Sequence, residues 1–67
     1  MDRYVTGAVI RTLREGKRMT QEELAEKIHV SGKAVSKWET GQGFPDISLL
    51  EPLAQALAVS VIELLSG

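Results

Sequence analysis

The chain contains no cysteine. That excludes disulfides and thiolate metal sites, and it fits a reducing compartment. Its only histidine is His29, with no HExxH-like spacing around it, so neither a metal nor a cofactor is expected. Apolar runs fall well short of the ~18 residues of a membrane span, and the start has no signal-peptide pattern. The expectation is a soluble, cytoplasmic protein. No paired acid and base, phosphate-binding loop or Ser–His–Asp arrangement stands out, so an enzyme is not expected. No segment alternates with period 2 over a strand's length, which argues against a sheet. Lysine and arginine are absent after residue 40.

What is there fits one small all-α domain spanning residues 1–67. The net charge of −1 is divided unevenly, +2 over residues 1–40 and −3 over residues 41–67. One end is suited to phosphates and the other is not. Val5, Ala8, Val9, Thr12 and Leu13 recur at helical spacing and predict the apolar face of a first helix, with Gly16 ending it. Thr20-Gln21-Glu22-Glu23 reads as a capping box, with Met19 and Leu24 as its hydrophobic staple. Leu24, Ala25 and Ile28 form the buried face of this second helix. Ser31 is a good N-cap for a third helix running from Gly32 to about Thr40. Asp46 can cap a fourth through about Leu57. Pro52 predicts a kink there, or a helix that starts only near Pro52. Ser60 to Glu63 is a second capping box and opens a fifth helix.

Only His29, Val30 and Ser31 separate the second helix from the third. Two short helices joined by so short a turn cross steeply, the sequence form of a DNA-binding helix-turn-helix over about residues 20–40. Ala25 is small enough for the close contact. Val35 and Trp38 point inward and set the angle of the third helix, which frees Gly32, Lys33, Ser36, Lys37 and Thr40 on its other face. Lys33 and Lys37 lie one turn apart there, long enough to reach guanine or phosphate. Outside this setting they would read as ordinary solvated lysines.

The stretch MTQEELAEKIHVSGKAVSKWETG, followed by PDISLLEPLAQALAVSVIELL, resembles the phage repressor and Cro type of helix-turn-helix, the XRE-like regulators. The resemblance covers residues 5–66. It implies a lambda-repressor-like fold of five short helices, with helices 2 and 3 as the motif. It also implies a transcription regulator that binds double-stranded DNA, commonly as a homodimer. By the same resemblance Gln21 clamps a phosphate and braces the third helix, and Thr20 adds a phosphate contact through its amide or hydroxyl. Gly32, Lys33 and Lys37 fall where the family reads bases, with Ser31, Ser36 and Thr40 at flanking contacts. Arg14 and Glu39 match a structural ion pair between helices 1 and 3.

The chain departs from the family at several points. Gly32 has no side chain to read with. His29 and Ala58 stand where glycine is common, and Ala58 predicts a different end to helix 4. The loop Gln42-Gly43-Phe44 is uncharged. Val59, Val61, Ile62, Leu64 and Leu65 are expected to complete the core, but they are more than one side of the last helix buries, so one or two of them are the expected dimer patch. The alternative reading is an antitoxin-like or adaptor module that uses the same scaffold to bind protein.

Overall fold

The computed structural model describes residues 2–67. Five helices follow one another: α1 (Arg3–Gly16), α2 (Gln21–Lys27), α3 (Gly32–Glu39), α4 (Ile47–Ala56) and α5 (Val61–Ser66). No strand occurs among the described residues, and no described helix is long and apolar enough to cross a membrane. α3 packs between α1 and α2, while α5 packs on α1 and α4. Ile10, Leu24, Val35, Leu53, Leu57 and Leu64 are fully enclosed where the helices meet.

Every helix starts on a short polar residue whose side chain accepts from amides of the first turn: Asp2, Thr20, Ser31, Asp46 and Ser60. These bonds satisfy donors that a helix start leaves unpaired. Both expected capping boxes are present, Thr20 with Glu23 and Ser60 with Glu63. The amides of Thr20 and Ser60 draw the Glu23 and Glu63 carboxyls below the usual glutamate range. Hydrogen bonds from Ser48 do the same to Asp46.

The first four helices all end in one way. Residues 18, 29, 41 and 58 take left-handed backbone, as Arg18, His29, Gly41 and Ala58. The next amide in each case reaches back five residues: Met19 to Arg14 (3.2 Å), Val30 to Ala25 (3.0 Å), Gln42 to Lys37 (2.9 Å) and Val59 to Ala54 (3.0 Å). This is the Schellman closure, which normally uses glycine at the left-handed position. Only Gly41 supplies one. A side chain there would also overlap the Tyr4 ring. One expectation is corrected here. Ala58 does not give helix 4 a different end, because the closing hydrogen bonds hold it in left-handed backbone. Gly16 ends α1 as expected, and the reversal follows at Arg18.

Asp46 caps the fourth helix as expected, and of the two outcomes expected at Pro52 the late start does not occur. The helix starts at Ile47, because the Asp46 cap and the Leu49 amide to Asp46 carbonyl bond (2.8 Å) close its first turn. Proline at residue 52 removes only the one bond to residue 48. The expected apolar face of Val5, Ala8, Val9, Thr12 and Leu13 is present on α1, but only Val9 and Leu13 pack against the core. Val5 is 45% exposed, Ala8 and Thr12 are exposed, and Val9 and Leu13 are half-buried. Thr6, Gly7, Ile10 and Arg14 point inward instead. A Cβ on Gly7 would overlap the Trp38 carbonyl oxygen, so the bare Gly7 backbone lies directly on α3. The apolar stripe lines an open groove shared with Val59 and Glu63.

Candidate nucleic-acid interface

The site is built on α2 and α3. α2 opens at Thr20, whose Oγ1 accepts from the Glu23 amide at 3.0 Å while its own amide donates to Glu23 Oε1 at 2.8 Å. The Thr20 amide is therefore occupied, and the hydroxyl proton is the donor left to it. Leu24 and Ala25 are buried. The left-handed turn at His29 then sends the chain through Val30 to Ser31, whose Oγ accepts from the Ala34 amide at 3.2 Å.

From that cap, α3 runs with Val35 and Trp38 buried against the core. The 100° step per residue places Lys33 and Lys37 on the opposite side. Both are exposed, and neither has an acidic partner among the described residues. Gly32 and Ser36 are half-buried between these faces. Thr40 caps the C-terminal end of α3, its Oγ1 donating to the Ser36 carbonyl at 3.0 Å, so that hydroxyl has only acceptor capacity to offer a ligand.

Behind this surface, one carboxylate joins three helices. Arg14 of α1 grips Glu39 with two parallel bonds, Nε to Oε2 at 2.6 Å and Nη2 to Oε1 at 2.9 Å. Its Nη1 donates to the Met19 carbonyl at 2.7 Å, tying in the turn before α2. Gln21 Nε2 donates to the same Glu39 Oε1 at 3.0 Å. The Glu39 side chain is 2% exposed and that of Arg14 10%. The hydrogen bonds to Glu39 raise the Arg14 pKa further, so the guanidinium stays charged at any relevant pH. A forked, buried pair of this kind fixes orientation as well as proximity.

Among the residues expected to act, Gln21, Glu39 and Arg14 are thus gathered in one network. Lys33 and Lys37 share an exposed face, and Thr20 and Ser31 sit at the starts of α2 and α3. The bracing of the third helix by Gln21 follows the resemblance, while its partner Glu39 lies 18 residues away with no local spacing to betray it. One feature escapes sequence reasoning. Glu22, alongside Gly32, belongs to the same surface, and helix-start acids are too common to single one out. Among the described residues no group of His, Cys, Asp and Glu side chains could hold a metal ion.

The helix-turn-helix family profile matches residues 10–64. The chain is 47% identical over 58 residues to the HTH-type transcriptional activator BcrR of Enterococcus faecalis, covering 87% of this chain and 28% of that protein. It thus spans well under half of that relative. Its backbone superposes on the P22 c2 repressor bound to a synthetic operator with a TM-score of 0.89, at 34% identity, covering 92% of this chain and 94% of that one. The restriction-modification controller protein C.AhdI of Aeromonas hydrophila is also similar, with a TM-score of 0.86, 32% identity, and coverage of 94% and 91%.

Proposed function

The chain belongs to the helix-turn-helix family of transcription regulators, and from that premise we propose that it binds double-stranded DNA sequence-specifically with α3 in the major groove. Residues 1–67 act as one DNA-binding domain. Lys33 reaches base edges near the head of α3, and Lys37 reaches a base or the phosphate backbone. Gln21 and the Thr20 hydroxyl contact phosphate at the start of α2. Ser31, Ser36 and Thr40 flank the base contacts. Two copies bind half-sites about one turn of DNA apart, ~34 Å, and pair through α5, where Ile62 is 78% exposed.

The observation that carries this reading is the clamp behind the surface. Glu39 holds the far end of α3 to both Arg14 and Gln21, while Lys33 and Lys37 stand outward with no acidic partner among the described residues. A rigid helix with free cations on its outer face is what groove entry requires.

The test is selection from a random duplex library, followed by binding to the winner and to a scrambled duplex at two salt concentrations. The expected result is a palindromic winner bound at least ~10³-fold tighter than the control. Weak, salt-sensitive binding with no enriched sequence overturns the proposal and favours the protein-binding adaptor.

A further inference from the structure

Gly32 opens α3 without a side chain, and the space beside it is filled from α2. A Cβ on Gly32 would lie 3.1 Å from Glu22 Cγ and 3.8 Å from Glu22 Cδ. Glu22 stands in the first turn of α2 and is exposed. Its carbon chain therefore runs along the head of α3. Its carboxyl carbon lies beside the position that a side chain at residue 32 would take, in van der Waals contact with it. The neighbouring Glu23 is committed to the capping box. Glu22 has no such commitment: among the described residues it takes part in no ion pair.

We infer that Glu22 determines base specificity, its carboxylate standing in for the side chain that Gly32 lacks and selecting a base with an amino group in the major groove. The inference rests on the proposed function above, because it needs α3 in that groove. The first residues of an inserted helix are the ones that meet base edges, so a group at the head of α3 is placed for readout. An ionised carboxylate only accepts hydrogen bonds. Cytosine N4 and adenine N6 are the amino donors of the major groove, while guanine O6 and thymine O4 are acceptors that repel it. Lys33, the next residue along, only donates and favours guanine O6 and N7. A C·G pair carries both features at once, the cytosine amino group for Glu22 and the guanine acceptors for Lys33. The same carboxylate is repelled by phosphates, so Glu22 lowers affinity for DNA of any sequence while raising discrimination.

The experiment repeats the library selection with the parent, Glu22→Ala and Glu22→Gln, each first shown to be folded by its thermal melt. The winning duplex and single-pair variants of it are then titrated with all three proteins. The parent is expected to enrich one C·G pair per half-site and to lose about five- to tenfold in affinity when it becomes T·A. Glu22→Ala should lose less than about twofold for that change, while binding the scrambled duplex more tightly. Glu22→Gln should admit adenine at that position, because an amide both donates and accepts. If Glu22→Ala selects the same sequence with the same penalty at every pair, the inference is overturned and the proposed function stands. If the parent enriches no sequence, the proposed function fails first and takes this inference with it.

Discussion

Gln21 Nε2 donates to Glu39 Oε1 at 3.0 Å, so a side chain at the start of α2 is tied to the last residue of α3. The acceptor is a carboxylate, which has no proton to give, so the amide nitrogen must face inward. The Gln21 carbonyl oxygen and one remaining N–H are then turned away from Glu39. A single bond thus links the two helices and orients one candidate phosphate ligand.

Removing either end of the buried clamp leaves the other charged without its forked partner. Arg14→Ala and Glu39→Ala are each expected to cost about 3–5 kcal/mol, a large part of the ~5–15 kcal/mol that holds a domain folded. Urea unfolding measures this directly. Arg14→Met combined with Glu39→Leu should cost less than either single change, because no lone charge remains. A loss under ~1 kcal/mol for both single variants would mean that solvent, not burial, governs the pair.

Opposite exchanges of the same two residue types should both stabilise. Gly16→Ala places a methyl in open space at a helical position, worth about 0.5–1 kcal/mol. Ala58→Gly relieves an alanine held in left-handed backbone, worth roughly 1 kcal/mol. In a domain this small each change should raise Tm by about 4–8 °C per kcal/mol. A lower Tm for Ala58→Gly would contradict the left-handed closure of α4.

Three caps make stability depend on acid. Glu23, Asp46 and Glu63 are all held below their ordinary carboxylate range when folded. Groups lowered in this way contribute fully above their unfolded range, near 4, and lose the contribution as pH falls through their folded values. Urea midpoints should therefore hold steady from neutrality to about pH 5 and then decline. Glu23→Gln with Glu63→Gln should start slightly lower and decline less steeply. Parallel curves would show that the capping carboxylates are not responsible.

On DNA, Lys33→Ala and Lys37→Ala should separate. Each is expected to cost about 1–3 kcal/mol where it makes a specific contact. Lys33→Ala should alter base preference. Lys37→Ala should weaken binding to all sequences and reduce the salt slope by about 0.9 if it holds one phosphate. Unchanged affinity in the folded double variant would remove α3 from the interface.

What could be read in the sequence was what is decided locally. Thr20, Ser31, Asp46 and Ser60 announce their helices because a cap and its amides lie within four residues. The inward pair Val35 and Trp38 follows from helical spacing alone. The core face of α1 could not be read in full, because apart from Ile10 its most buried positions are not hydrophobic. Gly7 is buried by backbone contact and Arg14 by its ion pair, so hydropathy pointed to the stripe that faces the groove. Arg18, His29 and Ala58 adopt a glycine-like conformation under hydrogen bonds from both sides of the turn, which residue preference does not register. Pro52 misled for a related reason: a cap six residues earlier had already started the helix.

The contact of Gly7 with the Trp38 carbonyl makes position 7 a gauge for the opposite side of the molecule. Any side chain there would wedge α3 away from α1, strain the Arg14–Glu39 fork and push Lys33 and Lys37 outward together. The reach of those lysines is thus calibrated from behind, by a missing methyl on a helix that carries neither of them.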